Sequence, residues 1–150
     1  MKMIAAMPEG NREPVFSGQC ILITGGTTAP GLASAKLLAR HGAIILISAA
    51  NDGEVEAALR EIREQVPRCS VIGVRADLTT PEGVDCFFLT ARMAFPKIDL
   101  IIHIPVLPAG EDPGANEKVY RACVAKADGL ARDGKTTAIA QIRRKNSVQV

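Results

Sequence analysis

Aromatic side chains are scarce in this chain: they make up 3% of its 150 residues, with no tryptophan and one tyrosine, Tyr120. A core must then be filled by Ala, Val, Ile and Leu, and an apolar content of 47% suits an α/β domain built that way. The four cysteines, Cys20, Cys69, Cys86 and Cys123, stand far apart, with no Cys-x-x-Cys pair and no histidine at metal-ligand spacing. That argues against a disulfide framework and against a metal site, and fits free thiols in a reducing compartment. An excess of one charge sign is also missing. The net charge is +2, and the basic clusters Arg143-Arg144-Lys145 and Arg60 with Arg63 are short, so neither nucleic acid nor an acidic membrane is expected as a partner. No apolar run approaches the length of a bilayer span, and the opening Met1 to Pro8 is too short in apolar length for a signal peptide. A soluble, cytoplasmic protein is the expectation.

What the chain does have is alternation. Residues 1–17, broken by Pro8, Gly10 and Pro14, read as a flexible arm, and 18–150 as one domain. Cys20 to Ile23 is a short apolar strand; a helix over about Gly31 to His41 follows and stops at Gly42. Ile44 to Ala49 is a second strand, continuous rather than alternating, as in a parallel sheet covered on both faces. Asn51 or Asp52 caps a helix over about Glu54 to Val66, whose Val55, Leu59, Ile62 and Val66 fall at helical spacing. Cys69 to Val74 is a third strand. Thr80-Pro81-Glu82 opens a third helix with Val84, Phe87, Phe88, Ala91 and Phe95 on one face. Leu100 to Ile104 is a fourth strand, followed by a helix over about Ala115 to Ala131 and a fifth strand within Thr136 to Ile142. Strands alternating with helices predict a doubly wound parallel sheet of about five strands in the order 3-2-1-4-5, with any site at the carboxyl ends of strands 1 and 4.

The first strand leads into Thr24-Gly25-Gly26-Thr27-Thr28-Ala29-Pro30-Gly31. Strand, glycine-rich turn, helix is an arrangement that favours a phosphate, through backbone N–H groups and the helix dipole. Small residues belong there because a Cβ would block the anion and the packing of helix on strand.

This turn resembles the Thr-Gly-x-x-x-Gly-x-Gly turn of the short-chain dehydrogenase/reductase family. The resemblance extends over Phe16 to Val106, including Ala76-Asp77-Leu78-Thr79 and Lys97-Ile98-Asp99-Leu100, and more weakly over Ala122 to Val148. It implies a shortened, Rossmann-like domain. Carried over position by position, it makes Thr24, Gly25, Thr27, Gly31, Ser48 and Asp77 the candidate cofactor contacts. Asp77 would meet the adenine edge, with a plain capping turn as the alternative. Ser48 and Asn51 would meet a ribose or phosphate, with an Asx-capped turn as the alternative. Ala29 stands where the family has its second glycine, and Ala50 stands where a basic residue often meets the 2′-phosphate of NADP. The cofactor expectation is accordingly none, or weak NADP(H).

The family's proton-transfer pair is Tyr-x-x-x-Lys. Here Tyr120 is followed four residues later by Val124, whereas Ala122 to Lys126 resembles the pair with its tyrosine replaced. By either alignment the usual pair is missing from these residues. His103 replaces an asparagine at the end of the fourth strand, where a histidine suits general acid or base work or simple packing. His103, Tyr120 and Lys126 are the catalytic candidates, with Glu111-Asp112 as an accessory pair. The resulting expectation is a non-redox enzyme (cyclisation, isomerisation or dehydration) acting on a small hydrophobic molecule. The alternatives are a residual NAD(P)-dependent oxidoreductase and a non-catalytic binding module. A homodimer through Val119, Cys123, Ala127 and Leu130 is set against burial of the same face in the core.

Overall fold

The computed structural model describes residues 15–104, 113–132 and 139–141. Strands β1 (Cys20–Thr24), β2 (Ile44–Ala49), β3 (Ser70–Arg75), β4 (Leu100–His103) and β5 (Ile139–Gln141) alternate with helices α1 (Ala29–Arg40), α2 (Asp52–Gln65), α3 (Pro81–Ala94) and α4 (Pro113–Arg132). All strand pairs are parallel, in the order β3-β2-β1-β4-β5. This is the doubly wound sheet expected from the alternation.

Side chains of successive strand residues point to opposite faces, and each face receives two helices. On one, Ile21, Ile23, Ile45 and Ile47 meet Ala35 and Leu38 of α1 and Ala58 and Ile62 of α2. On the other, Cys20, Leu22, Leu46 and Ile101 meet Phe87 and Phe88 of α3 and Val119, Cys123 and Ala127 of α4. The apolar face of α4 is thus spent in the core at those three positions. The side chain of Leu130 lies outside the described residues.

Local chemistry sets the boundaries. The hydroxyl of Thr28 accepts from Gly31 N–H at 3.2 Å, Asn51 Oδ1 from Glu54 N–H at 2.9 Å, and Thr80 Oγ1 from Gly83 N–H at 3.0 Å, so each of α1, α2 and α3 has a side-chain N-cap. Both α1 and α3 carry proline in the first turn. Gly42, at φ +87°, turns the chain after α1 and donates to Ala39. Asp99 ties the start of the sheet together: its carboxylate accepts from Cys20 N–H at 2.9 Å, and its own N–H bonds the Cys20 carbonyl at 2.9 Å.

The arm expected over 1–17 does not include its last residues. Phe16 N–H bonds the His41 carbonyl at 3.0 Å, and its ring packs against the α1–α2 core. Residues 1–14 lie outside the described residues. Because β5 hydrogen-bonds directly to β4, α4 is the crossover between these two neighbours.

Candidate active site

In an open parallel sheet the crevice lies beyond the carboxyl ends of the strands, at the point where strand order reverses. Here that point is between β1 and β4, whose neighbours run in opposite directions through the sheet. The turn after β1 closes tightly. Gly25 takes φ +67°, and Thr28 returns both its N–H (3.1 Å) and its hydroxyl (2.7 Å) to the Gly25 carbonyl. Gly26 lies against β2, where an added Cβ would sit 2.6 Å from Ile47 Cβ. At Gly31 an added Cβ would land on the Gly25 carbonyl oxygen and 2.8 Å from Gly26 Cα. The third glycine is therefore fixed by the approach of α1 to the turn. Thr27 is half-buried; Ala29 and Pro30 are exposed at the mouth of the crevice.

The buried polar side chains among the described residues are Thr24, Ser48 and His103. They form one row. Thr24 is in register with His103, and the residues preceding Thr24 and Ser48, Ile23 and Ile47, are partners. Thr24 Oγ1 lies 2.9 Å from His103 Nδ1 and accepts the Ile104 N–H at 3.0 Å. A hydroxyl that already accepts one bond uses its own proton best by donating it to Nδ1, which places the imidazole proton on Nε2. The His103 ring also lies 5.3 Å, centroid to centroid, from that of Tyr120 at a 50° tilt.

His103 is 1% exposed. Burial pushes its pKa from 6.5 down to about 4, against a smaller upward pull from Glu117, so it is neutral at pH 7. Ser48 is equally enclosed, and its hydroxyl does not stand at the crevice mouth where a ribose contact was expected. Cys123, in the α4 core, has its thiol pushed up to about 12 by burial and is no nucleophile.

The structure therefore joins two of the three catalytic candidates, His103 and Tyr120. Lys126 instead pairs with Asp85 of α3, two turns further along α4, on the exposed flank of the α3–α4 pair. The side chains are 46% (Lys126) and 63% (Asp85) exposed, so Lys126→Met should cost less than about 0.5 kcal/mol in urea unfolding. Glu111 and Asp112 lie outside the described residues.

Asp77 sits exposed just beyond β3. One oxygen, Oδ1, takes the N–H of Thr79 at 3.0 Å and also its hydroxyl, and so closes a local turn. The other oxygen, Oδ2, has no partner among the described residues, and it offers an acceptor to an adenine amino group. Sequence reading missed Arg75, the last residue of β3. It is in register with Ala49 and lies 3.7 Å from Asp52, with the guanidinium largely exposed. Its guanidinium thus stands, beside the Asp52 carboxylate, next to the end of β2, where Ala50 carries no charge. The pairing of β2 with β3 reveals this, because no spacing along the chain links the two positions. The adenosine end of a dinucleotide fits these groups; the start of α1 fits a pyrophosphate poorly, since Pro30 has no N–H to give.

A family model described as short chain dehydrogenase matches residues 19–125. A short-chain dehydrogenase/reductase of Aspergillus calidoustus, drtF, is 32% identical over 97 residues, covering 65% of this chain and 30% of that protein. The L-rhamnose 1-dehydrogenase (NAD(P)(+)) of a Sphingomonas species is 32% identical over 89 residues, 59% of this chain and 34% of its own length. Among solved structures, L-sorbose reductase from Gluconobacter frateurii, complexed with NADPH and L-sorbose, superposes with a TM-score of 0.68 at 28% identity, covering 87% of this chain and 54% of that one. The chain thus spans about a third of the length of these curated relatives and about half of the solved one. Matched by the family model over well more than half of its residues, the chain belongs to the short chain dehydrogenase family.

Proposed function

We propose that this chain is the nucleotide-binding portion of an NAD(P)-dependent oxidoreductase and that it takes NADP(H) weakly. The observation that carries the reading is the exposed Asp77, its Oδ2 unpartnered among the described residues and its carboxylate held in place by the bonds that Thr79 makes to Oδ1, on the same edge of the sheet as the Gly25–Gly31 turn. Similarity to a dehydrogenase named for NAD(P)(+) and to a reductase complexed with NADPH supports it. The non-redox conversion expected from the sequence has less behind it. It needs a group that exchanges a proton with a substrate at the crevice, and His103 is enclosed, neutral and bonded to Thr24.

The test is titration with NADPH and NADH, followed by cofactor fluorescence and by the ligand-dependent rise in melting temperature. A dissociation constant for NADPH of roughly 0.1–1 mM is expected, about 4–5.5 kcal/mol of binding. Asp77→Asn keeps an acceptor for Thr79 but places a donor where Oδ2 stood, and it should weaken both cofactors about tenfold while leaving the ligand-free melting temperature in place. Arg75→Ala should weaken NADPH about fivefold and NADH hardly at all, since of the two cofactors only NADPH carries a 2′-phosphate for the guanidinium to meet. Absence of binding at about 10 mM of either cofactor removes the proposal, because stabilisation by mass action would then be undetectable.

A further inference from the structure

The start of α1 has too few donors left for a pyrophosphate. A helix begins with four backbone N–H groups that have no partner within it, and these are what a bound anion uses. In α1 they belong to Thr28, Ala29, Pro30 and Gly31. The Thr28 N–H bonds the Gly25 carbonyl at 3.1 Å, Pro30 has none, and the Gly31 N–H bonds the Thr28 hydroxyl at 3.2 Å. The next N–H, of Leu32, already bonds the Thr28 carbonyl at 2.8 Å. Of these four, Ala29 alone keeps an N–H without a partner among the described residues, and its own residue stands exposed there, at the position where a glycine lets a cofactor's backbone come close. No acidic side chain occupies the first turn, so charge does not oppose an anion there; the deficit is one of donors and space. The adenosine side is different. Asp77 is exposed there with Oδ2 unpartnered among the described residues, and the Arg75 guanidinium, 3.7 Å from the Asp52 carboxylate, is largely exposed.

On the footing of the cofactor reading above, we infer that this chain holds nucleotides by the adenosine end alone and gains almost nothing from the pyrophosphate. Its ligand class is then adenosine 2′-phosphates in general, with the nicotinamide half of a dinucleotide left unanchored. Adenosine 2′-monophosphate, which has no 5′-phosphate, should bind the intact chain within about threefold of NADP+.

Isothermal titration of both ligands into the wild type and into the double variant Ala29→Gly with Pro30→Ile tests this. The variant restores one N–H and removes one methyl group. It should tighten NADP+ about tenfold or more and leave adenosine 2′-monophosphate unchanged, the latter showing that the site has survived the substitutions. NADP+ binding the wild type more than about tenfold tighter than adenosine 2′-monophosphate overturns the inference and leaves the cofactor reading standing. Equal tightening of both ligands, or of neither, overturns the role given to Ala29 and Pro30. Failure of both ligands to bind the wild type at about 10 mM overturns the cofactor reading itself, and this inference with it.

Discussion

Gly31→Ala should destabilise the protein by about 2–4 kcal/mol, even though alanine is the better helix former. The new methyl group would meet backbone, which cannot rotate away: the Gly25 carbonyl oxygen and, at 2.8 Å, Gly26 Cα. Relief requires α1 to retreat from the turn, which would disturb the packing of Ala35, Leu38 and Ala39 on Ile21, Ile23, Ile45 and Ile47. Gly129, in α4, is the internal comparison. An added Cβ there meets nothing within 4 Å, so Gly129→Ala should stabilise by about 0.5–1 kcal/mol through propensity alone. Urea unfolding of the two variants beside the wild type measures both signs. Equal, small effects would mean that α1 does not press on the glycine turn.

The second large effect is a dependence of stability on pH that His103 imposes. Its pKa is lowered from 6.5 to about 4 in the folded chain. Above pH 6.5 the imidazole is neutral in both states and contributes no slope. Between pH 6.5 and 4 the unfolded chain takes up a proton that the folded chain refuses, so stability falls as the pH falls through this window. Below about pH 4 both states are protonated and the loss is complete. A difference of about 2.5 pKa units amounts to roughly 3 kcal/mol. His103→Asn keeps a polar partner for Thr24 and removes the titration. Its unfolding free energy, compared with wild type at pH 7.5 and pH 4.5, should show the difference between the two proteins shrinking or reversing by about 2–3 kcal/mol at the lower pH. Identical pH profiles would show that His103 is hydrated in the folded state, contrary to its enclosure by Thr24, Ile104 and Tyr120.

His103 also shows how far a sequence carries. A histidine at the end of a buried strand is legible as a residue near the crevice, because strand ends and glycine turns are written in local composition. Whether it serves as an acid–base group depends on its surroundings, and those come from Thr24, 79 residues away, and from Tyr120 on α4. Lys126 is the reverse case. It occupies a plausible place in a sequence motif, yet the packing of α4 on α3 hands it to Asp85. Ser48 was placed correctly at the end of β2, but which way it faced depended on the alternation that buries Leu46, two residues earlier, in the α3–α4 core.

By itself the sequence determined the elements and their order. Apolar runs four to six residues long, Ser/Thr/Asn caps followed by proline or acidic residues, and glycine after α1 are local signals, read within one or two turns of chain. With parallel strands and intervening helices, the order 3-2-1-4-5 followed from the few windings such a chain allows. Only the tertiary structure decided which polar groups stay free. Thr24 spends its hydroxyl on His103 and the Ile104 N–H, one Asp99 oxygen takes the Cys20 N–H, and β3 brings Arg75 beside the end of β2. The reason is physical. Hydrogen-bonding capacity is finite at each atom, and a partner in space removes it regardless of distance along the chain.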